Sequence, residues 1–179
     1  MHVRLEQDGD KMITEELRLS LENYIKSNFV ESVDSAPDYS IDSEVTKAAG
    51  VTFTKKESFT LDQLMEEVGE SFHDMLFFRI DTSGMTDVEV YKRANIDRKL
   101  FSKIRSNPAY HPRKQTVLAL AIALKLNIDD TIDLLARAEY ALSPGNKGDL
   151  IVKYFIERGI YDIMTINFAL DEYGQTILE

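Results

Sequence analysis

The chain of 179 residues is long enough for one domain, or for one domain with an appendage, and its 44% hydrophobic content is ordinary for a soluble globular protein. It has no cysteine, which excludes a disulfide framework, a thiolate metal site and a cysteine nucleophile. Its net charge of −10 argues against nucleic acid as a whole, no apolar run approaches the roughly 18 residues needed to span a bilayer, and the charged start has no signal-peptide core, so a cytoplasmic protein without membrane contact is expected.

Residues 1–30 predict an amphipathic helix. Thr14, Glu15 and Glu16 supply a hydroxyl cap and two acids at the positive end of the dipole, and Leu17, Leu21, Tyr24, Ile25 and Phe29 recur at helical spacing. That stripe has to be buried, on the central domain or on a second copy of the chain. Residues 31–58 are rich in Asp and Ser and read as a linker, with a weak strand-like alternation at V-T-F-T-K-K.

The central domain is placed at 59–143. Thr60 caps one predicted helix, and Phe72, Met75, Leu76, Phe78 and Ile80 mark the apolar side of the next, which stops at Asp81-Thr82-Ser83-Gly84. Thr86 and Glu89 form a capping box that starts a further helix. In T-D-V-E-V-Y-K-R-A-N-I-D-R-K-L-F-S-K-I two short helices are joined by a tight turn at Asn95. Leu100, Phe101 and Ile104 make one buried face of the second helix. Arg98, Lys99, Ser102, Lys103 and Arg105 then form a basic face with one hydroxyl, as a helix entering the major groove of DNA requires.

A loop with two prolines follows, Pro112 fitting the first turn of a strongly apolar, alanine-rich helix at 113–126 that Asn127 ends. Ile132, Leu134, Leu135 and Ala138 are the inward positions of the next helix. The C-terminal extension, 144–179, carries two more helices, the first stopping at Gly159, and its last residues are expected to fray. Charge follows this division. Residues 1–70 hold 7 bases and 16 acids, 71–128 hold 10 and 5, and 129–179 hold 4 and 10. A local basic face can hold phosphates whatever the total charge.

No enzyme is indicated. His2, His73 and His111 are scattered, G-x-S-x-G and a Gly-rich phosphate loop are absent, and adjacent acids such as Asp129 and Asp130 suit helix capping. No cofactor or metal is expected.

The order of pieces from 71 to 143 resembles the lambda repressor-like, or Cro-like, helix-turn-helix family, on N-I-D-R-K-L-F-S-K-I and on L-A-L-A-I-A-L-K-L-N-I-D-D-T-I-D-L-L. Residues 86–142 are also similar to helix-turn-helix modules of multidomain bacterial proteins, some joined to macro domains. The resemblance implies an all-α fold, a five-helix lambda repressor-like domain with additional N- and C-terminal helices. It also implies a DNA-binding transcriptional regulator, working as a homodimer on half-sites about 34 Å apart. In that reading Arg98, Lys99 and Ser102 face base edges, and Lys103, Arg105, Arg113 and Lys114 neutralise phosphates. Three positions depart from the family pattern: Asn95 stands where it has Gly, Tyr91 where it has a small residue, and Asp87 where it has a neutral polar one. The alternative is a helical adaptor that kept the fold without DNA and recruits a protein through its acidic terminal helices.

Overall fold

Polar caps set where all but one of the described helices begin. A computed structural model describes residues 13–31 and 71–178, and all regular structure among them is α-helical. In chain order the helices are α1 (Glu15–Asn28), α2 (Phe72–Ser83), α3 (Asp87–Arg93), α4 (Arg98–Ser106), α5 (Lys114–Ala123), α6 (Ile128–Arg137), α7 (Lys147–Glu157) and α8 (Ile163–Glu172). The linker, the helix expected from Thr60 and the alternating V-T-F-T-K-K stretch lie outside the described residues.

Thr14, Ser71, Thr86, Asp97, Asn127, Asn146 and Asp162 each accept a backbone N–H from the first turn of the helix that follows. At Thr86 the capping box is complete, with the Glu89 carboxylate accepting from the Thr86 N–H at 2.8 Å. That bond holds the Glu89 carboxyl below its ordinary value of 4.5. The cap is therefore complete above that value and weakens as pH falls through the lower, folded one.

Five of the described helix ends share one chemistry. After α3, α5, α6, α7 and α8 the chain turns through a left-handed residue: Asn95, Lys125, Glu139, Gly159 and Gly174. In each case the next N–H reaches back to a carbonyl five residues earlier, as Ile96 does to Tyr91 and Leu126 does to Ala121. This moves two expected boundaries. The apolar helix stops at Ala123, and Asn127 caps α6 instead of ending α5. Pro112 precedes the Arg113 cap and so lies outside the first turn of α5.

Helix α5 is the centre of the core. Thr116 to Ala123 are all buried, and α3, α6 and α8 pack on it. Alanine at 119, 121 and 123 leaves room for backbones to approach closely. Around it, Leu76, Ile80, Val90, Ile104, Leu134 and Leu135 close the space from α2, α3, α4 and α6. Ile132, expected inward, is exposed, and Thr131 takes the buried position, its hydroxyl bonded to the Asn127 carbonyl at 2.8 Å.

Helix α1 buries its stripe on the C-terminal extension of its own chain. Leu21 and Ile25 are buried, and α7 is the element it packs on. The Tyr24 ring meets Tyr154 edge-on at 5.2 Å, and its hydroxyl donates to Glu157 at 2.8 Å. Burial, with that carboxylate's help, pushes the Tyr24 hydroxyl up to about 12. The Arg158 guanidinium lies 3.7 Å from the centre of the Tyr154 ring, and Arg18 pairs with Glu172 at 2.8 Å. This face of α1 is therefore not open to a second copy.

The expected fraying of the C-terminus is not what the structure has. Leu178 is buried, and Asn167 on α8 bonds both its N–H, at 2.7 Å, and its carbonyl, at 2.9 Å. Asn167→Ala should cost about 2 kcal/mol, because two buried backbone groups lose their partners together. Chemical denaturation checks the magnitude, and faster carboxypeptidase trimming of the variant checks that the tail is what came loose.

Candidate nucleic-acid interface

The turn between α3 and α4 gives α4 its orientation. Asn95 sits at φ 54, in the left-handed region that Asn tolerates better than most residues. Ile96 is buried beneath the turn, and Asp97 caps α4 by accepting the Lys99 N–H at 2.6 Å. Helix α4 then buries Phe101 and Ile104 and half-buries Leu100. The Phe101 ring lies 6.2 Å from Phe77 of α2 and 5.9 Å from Tyr91 of α3. Tyr91 thus lays its half-buried ring against Phe101 where α3 meets α4.

The seven expected contact residues divide by what they already touch. Arg98, Lys99 and Ser102 are exposed on the outer side of α4, and their side chains have no partner among the described residues. Arg113 is exposed at the start of α5, where its side chain makes no cap bond. Lys103 is exposed, with its ammonium 4.2 Å from the centre of the Tyr110 ring. Arg105 is bound twice, to Asp87 at 3.0 Å and over the Phe77 ring at 4.5 Å. Its carbonyl also accepts from the His73 imidazole at 3.0 Å.

Lys114 departs from the expectation of a free phosphate contact. Its amine is 2.6 Å from the Asp149 carboxylate, whose other neighbour is the Ser143 N–H at 2.8 Å. Asp149 is only 6% exposed, so Lys114 serves as the counter-charge of a buried acid on α7. Nothing in the local pattern around either residue signals this pairing, because they are far apart in the chain.

The Asp87–Arg105 pair was missed for the same reason, and it changes the meaning of Asp87. The carboxylate ties the start of α3 to the end of α4, and the Arg105 guanidinium is its counter-charge. His111 lies on the loop before α5, its ring 5.2 Å from Tyr140. The Tyr140 hydroxyl donates to the Pro112 carbonyl at 3.1 Å, which fixes the loop that delivers Arg113.

Among the described residues no three His, Asp or Glu side chains are placed to hold a metal ion, and no helix is long and apolar enough to cross a membrane. Comparison with protein-family models, with curated proteins and with solved structures finds nothing that matches this chain.

Proposed function

We propose that α2 to α6 form a lambda repressor-like helix-turn-helix unit, and that the protein is a regulator binding duplex DNA with α4 in the major groove. The observation that carries this is the outer side of α4. Arg98, Lys99 and Ser102 stand there exposed and without partners among the described residues, while Phe101 and Ile104 hold the opposite side in the core. Two long cations at the first turn of a short helix suit guanine edges, at about 1–3 kcal/mol of discrimination for a good pair.

The surroundings supply the phosphate contacts. Lys103 is one turn on, and Arg113 stands at the uncapped start of α5, where a guanidinium and free N–H groups can share a phosphate. The Asp87–Arg105 pair, His73 and the Phe77–Phe101–Tyr91 rings brace α4 from behind. Such bracing limits the ordering cost of docking.

A second reading is a protein adaptor, favoured by Phe78 on α2 and Val88 on α3, which are 57% and 47% exposed. Fluorescence anisotropy with a labelled random-sequence duplex of roughly 20 base pairs decides between them. Binding at about 50 mM salt supports the DNA reading, and none at that salt ends it.

A further inference from the structure

Away from α4, cationic side chains from two connected regions meet at an open cleft of about 540 Å³. Lys92 and Arg93 reach it from the last turn of α3, and Lys125 from the turn between α5 and α6. Tyr161, Asp162 and Ile163 close its other side from the start of α8. Its one lining carboxylate, Asp162, is occupied by Thr165, whose N–H and hydroxyl donate to it at 2.8 and 2.7 Å. Neither ammonium has a carboxylate partner among the described residues, while Arg93 bonds the Met85 sulfur at 3.1 Å and its charge helps hold the Glu89 carboxyl below its ordinary value. In a chain of net charge −10 this local excess of positive charge runs against the whole.

Cations near the ends of α3 and α5 are favourable toward the helix dipoles, and that accounts for Lys92 and Arg93 without any ligand. It gives Lys125, just past the end of α5, the same benefit, but it does not account for the backbone conformation of that residue. That residue holds a left-handed backbone at φ 53, a position that Gly or Asn fills with less strain and that Asn fills after α3. Glu139, the other long charged residue in such a turn, has His111 within 4.0 Å. Lys125 has no such neighbour among the described residues, and it lines the cleft. The Tyr161 hydroxyl donates to the Leu126 carbonyl at 3.0 Å, so the far wall is fixed to the same turn. The floor is apolar, from Ile122, Ala123 and Ile163.

We propose that this cleft binds a small phosphate-bearing molecule, with Lys92, Arg93 and Lys125 on the phosphates and the apolar floor under its organic part. The volume lies within the usual range for small-ligand sites, about 300–1,000 Å³. The proposal stands apart from the DNA reading, because none of its residues belongs to α4.

Isothermal titration of the full chain with pyrophosphate and with adenosine diphosphate tests it. Both should bind, the diphosphate nucleotide more tightly because of the floor. Lys125→Asn keeps the turn, so its melting temperature should hold or rise by about 2 °C, while affinity for both probes falls about tenfold with one charge-assisted contact. Arg98→Ala with Lys99→Ala should leave both affinities unchanged. Absence of binding to either probe at millimolar concentration overturns the proposal, as does unchanged affinity in Lys125→Asn. If Lys125→Asn weakens duplex DNA as much as it weakens pyrophosphate, the cleft is a contact for the DNA backbone and the small-molecule assignment is wrong.

Discussion

Asp149→Ala should lower the unfolding free energy by about 3 kcal/mol, although the residue is charged and far from the centre of α5. Its carboxylate is 6% exposed and holds the Lys114 amine at 2.6 Å and the Ser143 N–H at 2.8 Å. Truncation leaves a cation with its side chain 22% exposed and a backbone donor without their acceptor. The partial exposure of Lys114 keeps the cost at the lower end for a broken buried pair. Asp149→Asn retains an acceptor for Ser143 and should cost about half as much. Urea unfolding measures both. In a double-mutant cycle with Lys114→Met, the combined change should fall short of the sum by about 1 kcal/mol or more. Additive effects would mean that the two charges do not depend on each other.

Arg98→Ala with Lys99→Ala should reduce affinity for a selected DNA site on the order of 100-fold, from two contacts of about 1–3 kcal/mol each. The melting temperature should move by no more than about 1 °C, because both side chains are exposed and make no contact that folding uses. Lys114→Ala should do the reverse, costing stability and leaving DNA affinity near its starting value. Anisotropy and thermal melts on the same samples separate the two. Equal loss of affinity in both variants would place Lys114 at the DNA and contradict its role as partner to Asp149.

What was legible in the sequence was local. The capping box at Thr86 and Glu89, the left-handed Asn95, the buried Phe101 and Ile104 and the apolar run of α5 follow from spacings of a few residues, and the structure has each of them. Boundaries were read less well where one residue type serves two purposes. Asn is at home both after a helix and before one, and Asn127 is a cap for α6. Ile132 has the hydropathy of a core residue, yet the hydrogen-bonded Thr131 is the one buried.

Long-range pairing was not legible. Lys114 looked like Arg113 beside it, and only the fold brings Asp149 to it. Asp87 departs from the family pattern by its charge, and only the fold sets Arg105 opposite it. The spacing of the α1 stripe fits the central domain and a second copy equally, and α7 is the element that covers it. In each case a charge or an apolar stripe states a need, and tertiary contact decides what meets it.

The claim that α4 reads DNA predicts a specific salt dependence for random-sequence duplex. Arg98, Lys99, Lys103 and Arg113 are the exposed cations at the interface. With the two phosphates that Lys103 and Arg113 neutralise, log affinity should fall against log salt with a slope of about −2, at roughly −0.9 for each phosphate. A slope near zero, or no binding at about 50 mM salt, would contradict it.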